Sequence, residues 1–153
     1  MSIIYTLIGK GQDIILVDYT NSFGNFAQIT KNIMKKIETE TSHSYMYNEK
    51  YYFHYINQAG VTYMCMTEIP FQQKLAITYL KDIKNMFQQE FSQNQINLAI
   101  NYSLNAAFSN ILKQKMAGDY REQKEASTWK QMKTKVGLGI IFTTGVVGYL
   151  VLG

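Results

Sequence analysis

Residues 136–153, VGLGIIFTTGVVGYLVLG, contain no charged side chain, and this run constrains the chain more than any other feature. As a helix rising about 1.5 Å per residue it would cover about 27 Å, close to the hydrocarbon thickness of a thin bilayer. The 135 residues before it are enough for one domain and a short connector, expected to lie on one side of a membrane. Residues 1–13, MSIIYTLIGKGQD, have no basic leading region and too short an apolar run for a secretory signal. The expectation is therefore a single-pass tail anchor inserted after translation, with the upstream domain in the cytosol. The single cysteine, Cys65, cannot form an internal disulfide, which suits a reducing compartment.

The net charge of +4 is unevenly placed. Residues 1–112 hold eight lysines and eight acidic residues, which cancel. Residues 113–135 hold six lysines and Arg121 against Asp119, Glu122 and Glu125, so the whole excess lies there. A neutral domain with a basic segment beside an apolar run argues against nucleic acid as a partner and for anionic lipid headgroups. Trp129, Lys130, Lys133 and Lys135 are the membrane-interface candidates, because tryptophan settles at the headgroup level and lysine snorkels to it. Within the apolar run, Gly137, Ile141, Thr144 and Gly148 share one helical face. That face is nearly bare of side chain, so another membrane helix could pack closely against it.

The remaining pattern alternates strands and helices. Residues 2–9 and 13–19 read as strands of a hairpin turning at residues 9–12. Phe26, Ile29, Ile33 and Ile37 recur at helical spacing after Asn25. Tyr45 and Met46 suit a short strand. Residues 51–58 and 61–68 read as strands joined at Ala59-Gly60, with apolar residues on both faces, as in a sheet covered on both sides. Pro70 suits the start of a helix whose stripe is Ala76, Leu80, Ile83 and Phe87. Residues 92–97 read as a loop, and residues 98–116 as a last helix with Tyr102, Asn105, Phe108 and Leu112 on one side. The order β-β-α-β-β-β-α-α predicts an α/β fold, a three-layer α/β/α sandwich around five strands.

Several stretches carry a family resemblance: Gly24-Asn25-Phe26, residues 51–56 (YYFHYI), residues 61–67 (VTYMCMT), then Ala76, Leu80, Ile83, Lys84 and Phe87. Tyr102, Asn105, Phe108, Ser109 and Leu112 extend it. Collinear over residues 1–116, they resemble the longin domain of the long R-type SNAREs, the vesicle-associated membrane proteins with an N-terminal longin domain. The resemblance implies a profilin-like sandwich with a mainly antiparallel sheet, and a C-terminal transmembrane helix. The expected layout is a longin domain at 1–116, a basic juxtamembrane connector at 117–135 and an anchor at 136–153. In that family a heptad-repeat SNARE motif separates domain from anchor. Here Met116, Ala117, Tyr120, Ala126, Trp129 and Met132 sustain no 3–4 spacing, and Arg121 lacks flanking apolar layers.

Catalytic chemistry finds little support. His54 reads as a satisfied structural histidine and Cys65 as a small core residue. Gly9-Lys10-Gly11 lacks the remainder of a phosphate loop, and Asp13 and Asp18 fall on opposite faces of a strand. No enzyme, cofactor, metal or small-molecule substrate is expected. The resemblance implies instead a groove between the first helix and third strand that holds apolar peptide, lined here by Phe26, Ile29, Ile33, Ile37, Tyr45 and Met46. The leading expectation is a membrane-tethered trafficking module of an endomembrane, R-SNARE-like but not fusion-competent alone. The alternative is an accessory structural subunit of a larger membrane complex, in the secretory pathway or in mitochondria.

Overall fold

The computed structural model describes residues 2–118. Its five strands are β1 (Ile3–Lys10), β2 (Ile14–Thr20), β3 (Ser42–Tyr47), β4 (Tyr51–Gln58) and β5 (Val61–Glu68). They form one sheet in the order β2-β1-β5-β4-β3, every neighbouring pair antiparallel. The hairpin predicted at residues 9–12 is present, with its register shifted between Ile8 and Gly9. A Cβ at Gly9 would stand 2.5 Å from Met34 Cε and 3.0 Å from the Ile14 carbonyl oxygen, so the methionine end packs directly over the backbone at Gly9. Asp13 falls in the turn and not on β2, so it shares no strand with Asp18.

Both faces of the sheet are covered, as the doubly apolar strands require. On one face Tyr5, Leu7, Phe53, Met64 and Met66 pack beneath helix α1 (Phe26–Met34). On the other, Ile8, Leu16, Tyr63 and Cys65 meet α2 (Gln73–Glu90) and α4 (Asn105–Gly118). The α2 stripe of Ala76, Leu80, Ile83 and Phe87 is fully buried as its spacing predicts, and Tyr79 joins it. Helix α2 opens at Gln73, three residues after Pro70, which sits in a turn.

Two expectations fail between residues 92 and 104. The segment 92–97 is not a loop but carries a short helix, α3 (Gln93–Leu98). Ser92 caps it: its hydroxyl accepts from Gln95 N at 3.1 Å, while the Gln95 side chain accepts from Ser92 N at 2.8 Å. This reciprocal pair satisfies two otherwise orphaned amides, which lets a polar sequence hold a helical turn. Conversely, residues 99–104 are not helical, and Tyr102 sits at φ 59° ahead of α4.

The β4–β5 hairpin turns through Ala59 (φ 53°) and Gly60 (φ 78°). Left-handed backbone suits glycine at the second position, whereas alanine at the first is penalised. Ala59→Asn is expected to raise the unfolding free energy by about 0.5–1 kcal/mol, because asparagine tolerates this conformation. A urea midpoint unchanged or lower than that of the parent chain would contradict it.

Candidate functional site

The two edges of the sheet are treated differently. At β2 the α3–α4 segment closes the edge: Tyr102 N donates to Ile15 O at 2.6 Å, and Ile15 N donates to Asn101 Oδ1 at 3.0 Å. Asp18 N donates to Asn105 Oδ1 at 3.0 Å. The Asp18 carboxylate accepts from the Tyr5 and Tyr102 hydroxyls at 2.8 and 3.3 Å. Burial, reinforced by this carboxylate, raises the Tyr5 phenol well above its ordinary range. At the other edge β3 pairs with β4 alone, and among the described residues no strand lies on its outer side.

Helix α1 lies on the sheet face inward of this edge: Phe26 meets Tyr5 of β1, Met34 packs at Gly9, and Ile33 reaches the cavity beside Tyr45 and Tyr47 of β3. Its most apolar residues are not its most buried ones. Thr30 and Met34 face the core, and the Thr30 hydroxyl is satisfied by the Phe26 and Ala27 carbonyls at 2.9 and 3.0 Å. Phe26, Ile29, Ile33 and Ile37 are only half-buried. Ile37 lies beyond the helix, which stops at Met34 because the chain tightens there: Lys36 N reaches Ile33 O at 2.9 Å, and Ile37 N reaches Met34 O at 3.3 Å. Phe26 sits at the far end, its ring 5.6 Å from that of Tyr5.

Ile33, Lys36, Tyr45, Met46, Tyr47 and Phe53 line a cavity of about 180 Å³. A more polar cavity of about 300 Å³ adjoins it, with Glu38, Thr41, His43 and Tyr55 in its wall, and the two share Lys36 and Tyr45. Of the six groove residues named from the sequence, the structure brings Ile33, Tyr45 and Met46 to the first cavity; Phe26, Ile29 and Ile37 do not line it. Tyr45 and Met46 also differ. Strand alternation places Tyr45 opposite Phe53 on the α1 face, and Met46 opposite Tyr52 on the other. Tyr45 stacks on Tyr55 at 6.0 Å and meets His43 edge-on at 5.0 Å. Burial and the neighbouring Tyr55 raise its phenol. Met46, 56 % exposed, borders the cavity from the rim. Sequence reasoning missed Tyr47 and His43, whose two-residue spacing from Tyr45 was the available signal. It also missed Lys36, an exposed residue that borders both cavities.

The groups tested for chemistry are otherwise engaged. His54 is fully buried, with Nδ1 2.7 Å from Ser44 Oγ and Nε2 3.0 Å from Thr67 Oγ1. Burial lowers its pKa to about 4. Cys65 is enclosed, and desolvation pushes its thiol far above the range where a thiolate forms. Lys10, from the glycine-flanked turn, donates to the carbonyls of Ile96, Asn97 and Ala99 at 3.0, 2.9 and 2.7 Å, fixing the end of α3. Among the described residues, no three His, Cys, Asp or Glu side chains are grouped to hold a metal ion. What this edge offers is backbone pairing and apolar contact.

A five-stranded antiparallel sheet with α1 on one face, α2, α3 and α4 on the other and this groove defines a longin-type domain. The chain belongs to the longin family, whose model, described as a regulated-SNARE-like domain, matches residues 16–112. It is 38% identical over 117 residues to vesicle-associated membrane protein 7B of Dictyostelium discoideum, covering 76% of this chain and 44% of that one. Vesicle-associated membrane protein 7 of Homo sapiens is 31% identical over 112 residues, 73% of this chain and 50% of its own. For vesicle-associated membrane protein 714 of Arabidopsis thaliana the identity is 27% over 118 residues, 76% and 52%. The chain spans about half the length of the curated relatives it matches.

Trp129, Lys130, Lys133, Lys135 and the face of Gly137, Ile141, Thr144 and Gly148 lie outside the described residues. So do the connector, apart from Ala117 and Gly118, and the anchor expected at 136–153. Among the described residues no helix is long and apolar enough to cross a membrane.

Proposed function

We propose that this longin domain is a non-enzymatic, membrane-tethered interaction module of vesicle trafficking, which takes an extended peptide along α1 and the edge of β3. The observation that carries this reading is the contrast between edges. Asn101, Tyr102 and Asn105 close β2, whereas among the described residues no outer strand covers β3, which lies beside an apolar cavity. An open edge next to a side-chain pocket is the arrangement that strand addition uses. The names of the relatives support a vesicle context, and the uncharged run at 136–153 supports a tail anchor in an endomembrane, with lysine and tryptophan at the headgroups. Lacking a sustained heptad pattern in residues 113–135, the chain is R-SNARE-like without being fusion-competent alone.

Gentle detergent extraction of the tagged full chain tests this. SNAREs or trafficking regulators are expected to co-purify and to fall at least tenfold in Ile33→Asp, which places a charge in the cavity while α1 stays on the sheet through Thr30 and Met34. Stoichiometric integral-membrane partners retained by Ile33→Asp but released by Gly148→Leu would favour the other reading, a subunit docked through the small-residue face of the anchor.

A further inference from the structure

We infer that residues 92–104 form a strap over the β2 edge, latched by Lys10, which opens while the rest of the domain stays folded. The two ends of this segment are fixed. Phe91 closes α2 and Phe108 lies one turn into α4; both are buried in the core, with their rings 6.1 Å apart. Between them the packing is thin. In residues 92–103 only Ile96 and Ala99 are buried. Leu98 and Ile100 are 74 % and 69 % exposed, so neither adds much to the core. Tyr102 holds left-handed backbone, at φ 59°, which is costly for a residue with a bulky side chain. Every ordered residue of such a segment loses backbone entropy, and few of them offset the loss by burial.

The hydrogen bonds of the strap sort into two groups. Some lie within it and survive opening: the Ser92–Gln95 box, Gln93 Nε2 donating to Asn97 Oδ1 at 2.9 Å, and Ile100 N donating to Ser103 Oγ at 3.1 Å. Others tie it to the sheet. Lys10, at the end of β1, reaches the carbonyls of Ile96, Asn97 and Ala99, and at β2 Ile15 pairs with Asn101 and Tyr102. No residue from Phe91 to Leu112 carries a charged side chain, so the ammonium in these ties is that of Lys10.

An ammonium has three donors, and all three of Lys10 are spent on the strap. Hydrogen bonds from a charged donor are stronger than those between neutral amides. They are gathered where α3 ends, so one side chain governs the middle of the segment while the aromatic rings hold its ends. The ties to Ile15 come from adjacent residues and break together. Opening uncovers the amide and carbonyl of Ile15, which makes β2 a pairing edge for as long as the strap is away.

Native-state amide hydrogen exchange tests this, read by NMR on the full chain in neutral detergent over a urea series below the unfolding transition. The Ile15 and Tyr102 amides span strap and sheet. They are expected to exchange about a hundredfold faster than those of Tyr63 and Cys65 in β5, at matching protection and with a weaker dependence on urea. Lys10→Met keeps the aliphatic stem and removes the donors. It should speed exchange at Ile15 and Tyr102 about tenfold further and at β5 by much less, a comparison that holds even if overall stability drops. Exchange at Ile15 and Tyr102 with the rate and urea dependence of β5 would mean that the strap opens only when the whole domain unfolds, and would overturn the inference. So would fast exchange that Lys10→Met leaves unaltered, or accelerates no more than it accelerates β5, because Lys10 would then not be the latch.

Discussion

Phe108→Ala is expected to lower the unfolding free energy by about 3–5 kcal/mol, a large fraction of the total for a domain of this size. Phe108 is fully buried where α4 meets α2. Its ring stands edge-on to Phe87 at 5.3 Å and 6.1 Å from Phe91, and Phe87 in turn lies edge-on to Tyr63 of β5 at 6.0 Å. Truncation removes the hub of this chain of aromatic contacts and leaves a cavity that two helices and a sheet cannot easily collapse into. Because the hub is on the face away from α1, the fraction that remains folded should keep its groove. Urea unfolding of the full chain in detergent measures the loss; a change below about 1 kcal/mol would mean that α4 is not packed as described.

The second large effect is an acid sensitivity centred on His54. Its pKa falls from 6.5 to about 4 on folding because burial penalises the charged imidazolium. Above pH 6.5 both folded and unfolded forms are neutral, and the histidine adds no pH dependence. Between pH 6.5 and 4 the unfolded chain binds a proton that the folded chain does not, so stability falls as pH falls, and it levels off below 4. The loss over that window is about 3 kcal/mol. Protonation also supplies a second N–H, so whichever of Ser44 Oγ and Thr67 Oγ1 donates to the ring must turn its hydroxyl away. In His54→Gln the slope of unfolding free energy against pH should flatten between 6.5 and 4. A slope identical to that of the parent chain would place the acid sensitivity elsewhere.

Much of this molecule was legible in its residues, and the failures have physical causes. Strands β4 and β5 fall where alternation and the Ala59-Gly60 turn place them, because period-two patterning and left-handed turn chemistry act locally. Helix α3 was missed although its signal, serine followed three residues later by glutamine, stood in the sequence; the Gln/Asn-rich stretch around it offered Ile96 as its one buried side chain. At α1 the periodic stripe predicted the helix, which ends at Met34 before Ile37, but the spacing alone does not set how deep the stripe lies. Tertiary packing turned the helix so that Thr30 and Met34 took the core and the isoleucines took the flank. That rotation separates a core helix from the wall of a groove, and no periodicity in a single helix encodes it. Met46 shows the same limit on a strand: its place on a short strand was foreseen, but the face it occupies follows from the register against β4.

The closure of β2 by Asn101, Tyr102 and Asn105 has a consequence for assembly. A sheet with two open edges can be extended by copy after copy. This one has a single adhesive side, so a copy joined through its β3 edge presents only its sealed β2 edge to the next. Self-association along the sheet therefore ends at a two-fold pair and cannot propagate into a fibre. The strap on β2 acts as a chain terminator.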